Sequence, residues 1–174
     1  MRRLIILRHA KAERANPTGR DFERALAPRG REDAAKMGAY MARHGLVTDR
    51  ALVSPAERTR ETWTLITAAL SATPAVKHDG RLYDAKAETI LRVIQETPAP
   101  THTLCVVAHN PGLQQFALLL IGAGDSETRE RIAQKLPTCG LLVIDFSIDA
   151  WDKVAAGQGR LDRFVSPRML ESAE

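Results

Sequence analysis

Two long apolar runs stand out along the chain, Leu4-Ile5-Ile6-Leu7 and Leu104-Cys105-Val106-Val107-Ala108. Each stops abruptly on polar residues, Arg8-His9 after the first and His109-Asn110 after the second. Unbroken runs of branched apolar residues suit strands buried on both faces of a parallel sheet, where neither side of the strand meets water. Shorter runs at Ala51-Leu52-Val53, Val76-Lys77-His78 and Gly140 to Phe146 predict further strands, and Arg160 to Phe164 predicts a last strand at an edge. Between these runs the apolar period lengthens to that of a helix, at Ala34, Met37 and Met41, at Trp63, Ile66 and Leu70, and at Ile90, Leu91 and Ile94. An apolar helix is expected around Phe116 to Ile121, ended by Gly122-Ala123-Gly124, with a charged helix over Ser126 to Leu136. Punctuation agrees with these limits. Pro28-Arg29-Gly30 opens the first helix and Gly45 closes it, Ser54-Pro55-Ala56-Glu57 reads as a capping box, and Asn110-Pro111 reads as N-cap and first helical residue. Alternating strands and helices predict an α/β fold, a three-layer αβα sandwich with a mostly parallel central sheet. One domain is expected over 1–166, followed by a poorly ordered tail over 167–174.

In open α/β sheets, ligands gather beyond the carboxyl ends of the strands. Arg8, His9 and His109 fall at such ends, and Arg58 lies one turn into the helix that follows the strand at Val53. Each has an ordinary explanation when taken alone. A lone histidine is most often a satisfied buried ring, and Arg58 could pair with Glu61 on its own helix. His44, at a helix end, and His78 and His102, beside loops, receive that ordinary reading. Two imidazoles and two arginines at matching strand ends are harder to dismiss. A neutral imidazole is a competent nucleophile toward phosphorus, and two guanidiniums offer forked donors that match phosphate oxygens. Nearby cations also disfavour imidazolium, keeping His9 unprotonated near neutral pH.

Composition narrows the setting. The 174 residues are 44% apolar and 26% charged, as expected of a globular chain. No apolar stretch approaches a membrane span, and Met1-Arg2-Arg3 plus four apolar residues is too short for a secretory leader, so a cytoplasmic location is expected. Cys105 and Cys139 read as reduced thiols, and without a Cys-x-x-Cys or His-Glu-x-x-His pattern a zinc site has no support. Residues 1–31 hold nine basic and three acidic side chains, a local excess larger than the +4 of the whole chain. That excess points to an anionic partner. Aromatics are only 5% of the chain and Phe22 alone lies in the basic stretch, so nucleic acid is a poor fit and a phosphate-sized anion a better one.

Three segments carry a resemblance: Leu7-Arg8-His9-Ala10, Val53-Ser54-Pro55-x-x-Arg58-x-x-x-Thr62 and Ala108-His109-Asn110-Pro111-Gly112. They resemble the signature segments of the histidine phosphatase superfamily, and more narrowly its small SixA-like phosphohistidine phosphatase branch. Asp21-x-x-Arg24-x-Leu26-x-x-x-Gly30, Leu136-Pro137-Thr138 and the ending from Arg160-Leu161 to Pro167-Arg168 are also similar to that branch. The resemblance implies a phosphoglycerate mutase-like fold, His9 as the residue phosphorylated in a covalent intermediate, and Arg8, Arg58 and His109 around the phosphoryl group. It implies no metal and no organic cofactor. Ala10 stands where many superfamily members have glycine. Mutase-like relatives carry a carboxylate as general acid, which an alkoxide leaving group needs. Glu57 is explained by the capping box, while Asp84, Glu88 and Glu13 remain open for that role. A phosphohistidine substrate relaxes the requirement, because imidazole leaves more readily than an alkoxide. The expected partner is therefore a protein bearing phosphohistidine, acted on by a monomer. The alternatives are a phosphatase of small phosphate esters or a mutase, and a phosphate-binding module whose catalysis has lapsed.

Overall fold

A computed structural model describes residues 1–172. Seven strands form one sheet in the order β3-β2-β4-β1-β6-β7-β5. They are β1 (Arg2–Arg8), β2 (Arg50–Val53), β3 (Ala75–His78), β4 (Thr103–Ala108), β5 (Ile121–Ala123), β6 (Leu141–Phe146) and β7 (Gly159–Val165). The β3, β2, β4 and β1 strands pair in parallel, and β6 alone runs the other way, antiparallel to β1 and to β7. The two longest apolar runs become the central neighbours β1 and β4, in register from Arg3 opposite Thr103 to Arg8 opposite Ala108.

Side chains alternate across β1 and feed two cores. Leu4 and Ile6 join Val106 and Ala108 beneath α3 (Ala87–Gln95), α4 (Gly112–Leu120) and α5 (Ser126–Gln134), where Ile90, Leu113, Phe116 and Ile132 are buried. Ile5 and Leu7 join Val53, Cys105 and Val107 beneath α1 (Pro28–Arg43) and α2 (Glu57–Thr67), where Met37, Met41, Trp63 and Ile66 are buried. Burial on both faces is the reason these strands read as continuous apolar runs. Gly38 lets α1 lie against α2, since a Cβ there would stand 2.8 Å from the Ile66 carbonyl oxygen. Both cysteines are free and buried. No helix among the described residues is long and apolar enough to cross a membrane.

Four local expectations need correction. The segment after the apolar helix is itself a strand, since Ile121–Ala123 pairs with β7 as the last strand of the sheet. That places β7 inside the sheet rather than at its edge. The capping box does not form, because α2 begins only at Glu57 and the Ser54 hydroxyl is engaged elsewhere. Asn110 does not sit at the N-cap, since α4 begins at Gly112, although its Oδ1 accepts from the Gln114 amide. The tail expected to be poorly ordered continues as α6 (Pro167–Ser172). It is held by Ser166, whose hydroxyl accepts from the Met169 amide, and by an ion pair between Arg29 and Glu171. Residues 173–174 lie outside the described residues.

Candidate active site

The parallel register brings the polar strand ends to one place. Arg8 lies opposite Ala108, so the next residues, His9 and His109, lie side by side, with ring centroids 5.3 Å apart. The ladder continues one step past the strands, with the His9 amide donating to Ala108 and the Ser54 amide to Val107. Behind His9, the Cys139 amide donates to the His9 carbonyl and the Arg8 amide to Gly140, fixing this turn against the chain entering β6.

His9 is 7% exposed, and its Nδ1 lies 2.7 Å from the Ala10 carbonyl oxygen. A carbonyl only accepts, so in the neutral ring the proton sits on Nδ1 and the lone pair on Nε2. Thr62 completes the support. Its hydroxyl accepts from the Ala10 amide and donates to the Arg58 carbonyl, tying the His9 loop to the first turns of α2. The His109 Nε2 lies 2.8 Å from the Ser54 hydroxyl, and its buried Nδ1 has no partner within the protein.

Both arginines converge on the same corner. Arg58, 6% exposed, donates from Nη1 to the Asp21 carbonyl at 2.8 Å and from Nη2 to Asp21 Oδ2 at 3.1 Å. Arg8 donates from Nη1 to the Leu136 carbonyl, which also accepts from the Asn110 side chain. The Nε atoms of Arg8 and Arg58 are buried without a partner. Unsatisfied buried donors on two guanidiniums are costly unless an anion completes them. The pairing of Arg58 with Glu61 does not form. Glu61 instead accepts from the Leu26 amide.

The electrostatics follow from this crowding. Burial pushes His9 down to about 3. His109, Arg8 and Arg58 lower it further, while the bond to Ala10 acts in the opposite sense. Burial likewise pushes His109 down to about 4, helped by Arg58 and opposed by Asp21. Burial and the neighbouring Arg58 pull Arg8 below its ordinary value. Between the unfolded reference of 6.5 and these values, the unfolded chain binds protons that the native one refuses. The imidazoles therefore cost stability as pH falls from 6.5 toward 4, and none above it. In ring-nitrogen NMR of the ligand-free protein, His9 and His109 are expected to remain neutral at pH 5. Titration of either ring near 6.5 would contradict this electrostatic picture.

Of the carboxylates considered from sequence, Glu13, Asp84 and Glu88 are exposed and Glu57 opens α2. None is hydrogen-bonded to His9 or His109. The carboxylate joined directly to the cluster is Asp21. Besides Arg58, it accepts from the Tyr83 hydroxyl at 2.6 Å and from Arg24 at 2.9 Å. These bonds hold Asp21 well below the usual carboxylate range, the Tyr83 bond first. Asp21 belonged to a recognisable sequence pattern, but Tyr83 and the partnership of Ser54 with His109 had no local signal.

Fold and site together gather two histidines and two arginines beyond the strand ends of an α/β sheet. The sequence profile of the histidine phosphatase superfamily (branch 1) matches residues 4–89. The uncharacterized protein Rv1276c of Mycobacterium tuberculosis is 35% identical over 165 residues, covering 93% of this chain and all of that protein. A SixA structure from Agrobacterium tumefaciens aligns with a TM-score of 0.81 and 28% identity, over 95% of this chain and 98% of the other. The structure of the protein histidine phosphatase SixA with tungstate shares the fold, with a TM-score of 0.78 and 19% identity over 97% and 99% of the two chains. The chain belongs to the histidine phosphatase superfamily, in its SixA-like branch. It is a phosphatase.

Proposed function

We propose that this phosphatase removes phosphate from phosphohistidine on a protein, through a phosphoryl group carried on His9 and without a metal ion. The observation that carries the reading is the state of Asp21, among the described residues the one carboxylate bonded into the cluster. Held ionised by Tyr83, Arg24 and Arg58, it has no proton to give near neutral pH. An alkoxide leaving group needs such a proton, whereas a phosphohistidine ring that already carries a proton on its free nitrogen leaves as neutral imidazole without one. The SixA of Agrobacterium tumefaciens, provisionally described as a phosphohistidine phosphatase, supports the same substrate class.

In this account His9 Nε2 attacks phosphorus, and the bond from Nδ1 to Ala10 fixes the reactive tautomer. The P–N bond of the substrate breaks as the new one forms. The guanidiniums of Arg8 and Arg58 take up the charge of the transferring group, with their free donors aimed at its oxygens. Ser54 donates to His109 Nε2, so that His109 Nδ1–H is a further donor to those oxygens. Water then attacks the phosphoryl group on His9 and phosphate departs, returning His9 to its neutral state.

The test compares kcat/KM for a phosphohistidine peptide with that for several sugar phosphates and phosphoserine. The account expects the peptide to be preferred. Preference for the esters would replace this reading with that of a small-molecule phosphatase.

A further inference from the structure

Asp21 does more than hold Arg58. It opens a single helical turn, Asp21–Glu23, on the loop between β1 and α1, and 52% of its side chain faces solvent. Oδ2 is saturated by the Tyr83 hydroxyl and Arg58 Nη2, but Oδ1 accepts only from Arg24 and keeps a lone pair free. Aromatic rings stand beside it. Phe22 and Tyr83 meet edge-on with centroids 5.0 Å apart, and Tyr83 meets His109 edge-on at 5.5 Å. Phe22 is 39% exposed, a large apolar side chain left open at the rim of a polar site.

We propose that Asp21, backed by the Phe22–Tyr83 pair, forms the seat of the leaving imidazole. Its free lone pair accepts the N–H of the substrate ring nitrogen that does not carry phosphorus, while the ring lies against the aromatic pair. This rests on the phosphohistidine reading above and names how that substrate is recognised. As the His9 Nε2–P bond forms and the substrate P–N bond breaks, the electron pair stays on the departing nitrogen. The ring already carries a proton on its other nitrogen, so it leaves as neutral imidazole without a proton donor. A carboxylate facing that N–H favours the protonated, more labile form of the phosphorylated ring. The two rings that share phosphorus are then held alike, each with an N–H bonded to an oxygen on its far side, Ala10 for His9 and Asp21 for the substrate. The same carboxylate repels leaving groups that bear a carboxylate of their own, such as phosphoserine.

The experiment measures wild type and Asp21→Asn with a phosphohistidine peptide and with p-nitrophenyl phosphate, whose leaving group offers no N–H and needs no proton. Losing a charge-assisted hydrogen bond should lower kcat/KM for the peptide about 10–100-fold. Any fall in turnover of p-nitrophenyl phosphate reads the loosening of Arg58 alone, so the ratio of peptide to p-nitrophenyl phosphate kcat/KM should drop about tenfold or more. An equal fall on both substrates would overturn the proposal and reduce Asp21 to positioning Arg58. An unchanged ratio with unchanged rates would overturn it as well. A wild type that turns over p-nitrophenyl phosphate but not the peptide sinks the phosphohistidine reading itself, and that outcome is visible before the variant is examined.

Discussion

His9→Ala is expected to abolish turnover of every phosphorylated substrate, with kcat falling by about 10⁴-fold or more, the scale of losing a covalent nucleophile. The fold should survive. His9 makes one side-chain hydrogen bond, to Ala10, and the Ala10 amide stays anchored on Thr62. Steady-state rates with a thermal melt separate the two effects. Activity within tenfold of wild type would show that another group attacks phosphorus. A chain that merely binds phosphate would show no effect of this substitution on any hydrolysis.

Arg58→Ala should be nearly as damaging, lowering kcat/KM about 10²–10³-fold, the cost of removing one preorganised donor from the transferring group. Arg58→Lys should recover little, because an ammonium lacks the planar fork that spans two oxygens. Inorganic phosphate should also inhibit more weakly in both variants. Asp21 remains tied to Tyr83 and Arg24 when Arg58 is removed, so the rim persists and the loss is read at the phosphoryl group. A normal phosphate inhibition constant in Arg58→Ala would place Arg58 outside the anion site.

The elements that were legible in the sequence are those whose environment leaves a local pattern. The β1 and β4 strands are buried on both faces and read as unbroken apolar runs, so their polar ends and the positions of His9 and His109 followed directly. The Ile121–Ala123 strand was hidden because it is three residues long and contains Gly122, which reads as the end of the preceding helix, and its pairing with β7 is set by residues some forty positions away. The capping pattern at Ser54 misled for an instructive reason. The same hydroxyl that suits a helix start is drawn instead to His109, 55 positions along the chain. The meeting of Asp21 with Tyr83 is of the same kind. The two lie 62 positions apart and share neither period nor motif. Local chemistry announces strand ends and helix limits, while the second partner of a polar side chain is chosen by the fold.

The central claim is that phosphorus passes onto His9 Nε2 on its way to water. Rapid-quench labelling with a radiolabelled phosphohistidine peptide, followed by peptide mapping of the trapped protein, tests it most directly. The account predicts an acid-labile, alkali-stable phosphate on the peptide containing His9, formed in a burst and absent from His9→Ala. Phosphate on any other residue, or turnover with no trapped phosphoprotein at all, would contradict it.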